Sequence, residues 1–145
     1  MVSVAMAARH PNGPEEPTDL SYREWAAAIL GGFVALLALR LLPLHRTLAL
    51  VRLIRRITPI PAQHTAAVRA ARACRLLAYS YPGRAACLEL SLATVLTSAV
   101  HRRHVDWCIG CRLDPCQSHA WVEADGVPVA EATGTDTLFH TTVRA

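Results

Sequence analysis

The sequence predicts an α+β protein: N-terminal helices, then a helix suited to carry a nucleophile, then a small antiparallel sheet. Three observations carry this. Apolar residues recur at helical spacing through roughly the first hundred positions. Beyond Arg103 the period changes to two. Turn punctuation at Thr58–Pro61, Pro82-Gly83 and Asp125-Gly126 separates the segments. Helices that precede a run of strands, instead of alternating with them, belong to the α+β class.

Residues 1–20 are rich in Pro, Gly and acid and read as a flexible tail, with 21–145 as one domain: a helical part over 21–80 and a core over 81–145. Ser21 followed by Glu24 has the spacing of a capping box. Ala26 to Leu39 is apolar without interruption, shorter than the roughly 20 residues that cross a bilayer, and reads as a helix facing the core or a partner, with a membrane anchor as the less favoured reading. Leu44 to Ile57 continues helically, with Leu44, Leu48, Val51 and Ile54 on one face and Arg52, Arg55 and Arg56 off it. After the "TPIP" break a helix is predicted over 62–79, turning Ala66, Ala70, Ala73 and Leu77 inward and Arg69 and Arg72 outward. A helix beginning near Arg84 follows, with Leu88, Leu92, Val95, Leu96 and Ala99 in series. Val105, Trp107, Ile109, Cys111 and Leu113 then alternate with Asp106, Cys108, Gly110 and Arg112 as a strand, and "SHAWVEA" and "VPVAEAT" read as two more.

At 145 residues the chain can bury a core without staples. Its net charge of +4 comes from scattered arginines with no lysine, which argues against a nucleic-acid partner. "VRLIRR" reads as the solvated side of a helix. The N-terminal stretch has Glu15-Glu16 and prolines where a secretory signal needs an apolar run, so a cytoplasmic protein with reduced thiols is expected. Five cysteines then point to metal or catalysis more than to disulfides.

Two chemistries compete for "CIGCRLDPCQSHAWVE". One is a zinc-stabilised interaction module using Cys108, Cys111, Cys116 and His119, with Gly110 supplying a bend between the first two ligands. Against it, strand alternation turns Cys108 and Cys111 to opposite faces, and His119 opens a strand. The other chemistry pairs His119 with Cys87. A thiol in the first turn of a helix meets unpaired N–H groups and the positive end of the dipole, both of which favour thiolate. An imidazole can then take its proton, and a third polar group can orient the imidazole.

Glu131 is the candidate for that third group, and its position depends on the hairpin. A two-residue Asp125-Gly126 loop pairs Ala124 with Val127 and sends Glu131 to the face opposite His119. A three-residue loop, Ala124 to Gly126, pairs Glu123 with Val127 and sets His119 across from Glu131. Periodicity alone does not choose between these registers.

"GRAACLELSLA" followed by "IGCRLDPCQSHAWVEADGVPVAE" resembles the B-type leader peptidases of lasso peptide biosynthesis, which carry a transglutaminase-like, papain-like cysteine protease core. The resemblance is strongest from Pro82 to Glu131 and weaker over "LLPLHR" and the preceding helices. It implies a Cys–His–acid triad of Cys87, His119 and Glu131, in a family that often has aspartate as the third member. It also favours the three-residue loop as the register that unites the triad. No strand-rich leader-binding domain is legible in the N-terminal part, which implies the stand-alone protease form. The implied partners are the lasso precursor's leader peptide, a separate leader-recognition protein and the macrolactam synthetase, with the apolar helix as docking surface. The resemblance implies that ATP is drawn on in the complex with the synthetase; no phosphate loop is present, so no cofactor and no metal is assigned to this chain. A transglutaminase-type acyl transferase on the same core is the other enzymatic reading.

Overall fold

The computed structural model describes residues 19–81, 83, 86–131 and 139–145; the remaining positions, including most of the expected tail, lie outside the described residues. The chain folds as helices followed by a small antiparallel sheet, consistent with a transglutaminase-like core. Helix α1 (Tyr22–Leu41) starts at Ser21, whose N–H donates to the Glu24 carboxylate at 2.7 Å while Glu24 N–H donates back to its hydroxyl. Helix α2 (Leu44–Ile57) follows after Pro43. Strand β1 (Ile60–Pro61) then leads into α3 (His64–Tyr79) and α4 (Cys87–Val100). Strand β2 (Arg103–His104) pairs parallel with β1, and β3 (Asp106–Leu113), β4 (Cys116–Ala124), β5 (Val127–Pro128) and β6 (His140–Arg144) complete the chain. The sheet order is β5-β4-β3-β6, antiparallel throughout.

Four sequence expectations change here. The helix capped by Ser21 runs twenty residues, past both ends of the apolar run over 26–39, so by length and composition it could cross a membrane, where the run itself read as too short. On α3 the buried residues are Ala67, Ala70, Ala71, Ala73 and Cys74, and Ala66 is exposed. The helix lies between α1 and α4, so its buried face is wider than a single stripe, and alanines give little contrast to locate it. Arg69 does not point freely outward: its guanidinium grips Glu24 and reaches the Asp19 carbonyl at 2.7 Å. On α2, the expected inward Leu44 is largely exposed and Thr47 is buried instead.

Helix α4 is the centre of the packing. Every residue from Ser91 to Ser98 is buried, enclosed by α1 and α3 on one side and by Trp107, Val122 and Val129 of the sheet region on the other. Its polar residues survive this by turning inward: Ser91, Thr94 and Thr97 hydroxyls donate to the carbonyls of Leu88, Leu90 and Ala93. Helix α1 presents a small-residue face, Ala27, Ala28, Gly31, Ala35 and Ala38, to the core. A Cβ on Gly31 would fall 2.5 Å from Thr97 Oγ1 and 2.8 Å from Thr97 N, so the missing side chain sets how closely α1 and α4 cross.

This crossing gives a paired prediction. Gly31→Ala should destabilise the fold by about 1–3 kcal/mol through overpacking. Gly32→Ala, where an added Cβ meets nothing within 4 Å, should be neutral or stabilising by up to about 1 kcal/mol. Urea midpoints of the two variants check it.

The Glu24–Arg69 pair gives a second. Arg69 hydrogen bonds hold the Glu24 carboxyl at about 2, below its ordinary 4.5. A depressed carboxylate contributes stability that is complete above the ordinary value and is lost as pH falls toward the depressed one. Wild-type protein should therefore lose more stability than Glu24→Gln between about pH 4.5 and about pH 2. With both side chains partly exposed, the difference should be on the order of 1 kcal/mol or less. Denaturation curves at the two ends of that range measure it.

Candidate active site

Cys87 is the first residue of α4. The capping position belongs to Ala86, which has no side-chain acceptor, so it leaves the first-turn N–H groups without a side-chain cap of the usual kind. Ala86 N–H itself donates to the Glu89 carboxylate at 2.7 Å, which secures the helix entry. Local sequence therefore leaves Cys87 beside open backbone donors at the positive end of a 14-residue helix. One turn on, Ser91 accepts a 2.9 Å hydrogen bond from Trp107 Nε1, which fixes the start of α4 against β3.

His119 lies in β4 across from Gly110, and the two strands stay in register from Asp106↔Glu123 to Leu113↔Cys116. A Cβ at Gly110 would fall 2.6 Å from the His140 carbonyl and 2.8 Å from the Trp121 ring. Gly110 is therefore not a bend between metal ligands: it lies within a strand and admits the indole and β6. The His119 ring stacks on Trp121 at 5.9 Å between centroids and lies 5.2 Å from Phe139, so aromatic surface restrains its orientation.

His119 Nε2 is 2.9 Å from Glu131 Oε2. Donation of Nε2–H to the carboxylate leaves the lone pair of a neutral imidazole on Nδ1. The register behind this bond differs from the expected one. Glu123 pairs with Pro128 and Ala124 with Val127, so the loop is Asp125-Gly126, two residues with φ of 54° and 75°. The three-residue turn is overturned, and with it the idea that only that turn could join His119 to Glu131. The ladder holds as far as Val129 N–H on the Val122 carbonyl. Then Ala130 takes φ of 54°, the left-handed region that alanine rarely adopts. That single reversal breaks the strand's alternation and turns Glu131 back to His119.

Cys87, His119 and Glu131 line one cavity of about 230 Å³, together with Arg75, Ser91 and Trp121. Cys87 and His119 share this cavity, not a hydrogen bond; such bonds are often long before substrate binds. Arg75 was not foreseen. Its guanidinium donates to the Ala130 carbonyl and lies 3.9 Å from Glu131 Oε1. Trp121 was legible, being two residues from His119 and so on its face. Phe139 and Arg75 come from distant elements and carried no local signal.

A family model described as the transglutaminase-like superfamily matches residues 5–144. The chain belongs to that superfamily. No curated protein and no solved structure gives a match. Transglutaminase-like domains are generally cysteine proteases or acyltransferases, chemistries that share a cysteine nucleophile.

The zinc candidates do not converge. Cys108 is fully buried in β3, Cys111 is on the other face of that strand, and Cys116 is exposed at the hairpin. Among the described residues no group of three His, Cys, Asp or Glu side chains is placed to hold a metal ion. Burial, reinforced by the Glu123 carboxylate, pushes the Cys108 thiol up to about 12, which holds it in the unreactive thiol form.

Ala130 gives the test of this geometry. Ala130→Pro fixes φ near −65°, incompatible with the kink, and should lower activity on the order of 10²-fold by releasing Glu131. Ala130→Gly should retain activity, because glycine enters the left-handed region freely. The ratio of the two rates is the readout.

Proposed function

We propose that this protein is a cysteine peptidase that removes the leader from a ribosomally made lasso peptide precursor. The observation that carries the reading is the His119–Glu131 hydrogen bond on the wall of the cavity that also holds Cys87 at a helix N-terminus. The sequence motifs around Cys87 and His119 narrow the class from acyl transfer in general to leader removal.

In this mechanism Cys87 Sγ, as thiolate, attacks the scissile carbonyl carbon, and its proton goes to His119. The oxygen that gains negative charge is received by the uncapped N–H groups at the start of α4. His119 gives its proton to the leaving amine as the C–N bond breaks, and the core peptide departs with a free α-amine. Water then attacks the thioester with His119 as base, which releases the leader as a carboxylate and restores the thiol. Glu131 touches no reacting atom. It holds the imidazole and stabilises the imidazolium that forms between the steps. A leader-recognition protein presents the precursor, and a macrolactam synthetase uses the freed amine.

The experiment mixes the chain with the precursor and the leader-binding protein encoded beside it and reads product masses. Wild type should give leader and core differing from the precursor by one water. Cys87→Ala should lose at least about 10⁴-fold in rate, and Glu131→Gln should lose less, on the order of 10²-fold, mostly in kcat. Full cleavage by Cys87→Ala overturns the nucleophile. A product joined to an added amine, without the water, assigns transferase activity instead.

A further inference from the structure

We infer that Arg75 is the positioning residue of this site, acting from α3 through the Ala130 carbonyl to hold Glu131 against His119. The inference rests on the reading of the cavity as a Cys–His acyl-transfer site.

The register alone would place Glu131 on the wrong side of the hairpin. What brings it back is the left-handed Ala130, and an alanine stays in that region only where its surroundings over-determine it. The contact that does so is the Arg75 guanidinium, donating to the Ala130 carbonyl. The same Nη2 lies 3.9 Å from Glu131 Oε1, while Oε2 takes the imidazole of His119 at 2.9 Å. The two carboxylate oxygens thus face two different cationic or proton-donating groups, and rotation of the carboxylate breaks both contacts. Both contacts come from one nitrogen, Nη2, whose two N–H groups can serve the carbonyl and face the carboxylate together.

The support is rigid. Ala71 and Cys74, flanking Arg75 on α3, are buried, and Ala71 lines the cavity one turn before Arg75. At the start of the same helix His64 Nε2 lies 3.4 Å from the Pro128 carbonyl, so α3 holds the acid-bearing segment at two backbone carbonyls. Among the described residues, the charged and titratable groups around His119 include Cys87 on α4, Glu131, Arg75 on α3 and Arg112 of β3, whose guanidinium lies over the Phe139 ring. His140 at the start of β6 is exposed. Of these, Arg75 alone touches both Ala130 and Glu131 among the described residues.

The test needs no substrate. Alkylation of Cys87 by iodoacetamide in the full chain is followed against pH by peptide mass mapping, with exposed Cys116 as internal reference. Glu131→Gln should move the Cys87 profile toward higher pH, lowering the Cys87 to Cys116 rate ratio near pH 6 on the order of tenfold. Arg75→Ala should move it in the same direction, by at least about threefold, and Arg75→Lys should fall between Arg75→Ala and wild type. The double variant should match Glu131→Gln alone, because Arg75 works through Glu131. An Arg75→Ala profile that overlays wild type while Glu131→Gln moves overturns the inference. So does additivity in the double variant, which would make Arg75 a direct charge on the pair. A Glu131→Gln profile that does not move brings down the acid assignment itself, and this inference with it. If Arg75→Ala does not fold, Arg75→Gln and Arg75→Lys are read in its place. A loss of melting temperature without a profile change marks a merely structural residue and counts against the inference.

Discussion

The enclosure of α4 governs this molecule. A helix with eight consecutive buried residues must be packed from all sides, and that requirement recruits α1, α3 and the sheet around it. Such a helix needs either apolar or internally satisfied side chains, and the Ser91, Thr94 and Thr97 hydroxyls meet this by bonding their own preceding turn, whereas the buried Ser98 hydroxyl has no partner among the described residues. Its body is sealed, but its first turn is not: Cys87 and Leu88 to Leu90 are only half-buried, and no capping side chain occupies the N-terminus. Burial of the helix thus fixes the position of Cys87 while the helix end stays open to solvent. Trp107, fully buried and bonded to Ser91, ties that open end to the strand pair that carries His119.

The second constraint is the conflict between a regular hairpin and the contact of Glu131 with His119. The Asp125-Gly126 turn is the tightest connection the strands can make, and its register is right for the core: Val122, Ala124 and Val129 all pack inward. The same register is wrong for the acid. The chain reconciles the two by keeping the ladder through Val129 and then reversing at Ala130, one residue before Glu131. Left-handed alanine costs on the order of 1–2 kcal/mol, of the same size as one charge-assisted hydrogen bond, so the Arg75 contact is of the right magnitude to hold it.

The five cysteines divide by environment. Cys74 is buried against Thr97, and burial raises its thiol; Cys108 is buried beside Glu123 and is raised further. Glu123 is itself held by the Trp121 indole at 2.9 Å and by Arg144 at 2.8 Å, and Arg144 and Arg55 both reach Asp106. This network locks α2, β3, β4 and β6 together, and burial, with the Glu123 carboxylate beside it, keeps Cys108 in its thiol form. Cys87, half-buried at a helix start, has neither an apolar seal nor a carboxylate neighbour on its own element nearer than Glu89, which is engaged by Ala86. Burial thus suppresses the thiols of Cys74 and Cys108, while Cys87, Cys111 and Cys116 stay open to solvent. Meanwhile α1 leaves Ile29, Leu30, Phe33 and Leu37 exposed opposite its small-residue face, because Gly31 and the alanines alone suffice to dock it.

The amino-acid sequence by itself determined the order of the four helices and the β3–β4 pair, the Ser21 capping box, the bounds of α2, the alternation that separates Cys108 from Cys111, and the placing of Cys87 in a first turn. These depend on interactions within a few residues, where spacing and side-chain type are sufficient. It left open the hairpin register, and the loop favoured by resemblance was not the one adopted. Tertiary structure decided that, along with the inward face of α3, the β6 pairing and the contact between His119 and Glu131. The physical reason is that a short strand near a sheet edge has two registers of similar local energy, and core packing selects one. The kink that then rescues the acid is held by a guanidinium 55 residues away in sequence, a contact that no local pattern encodes.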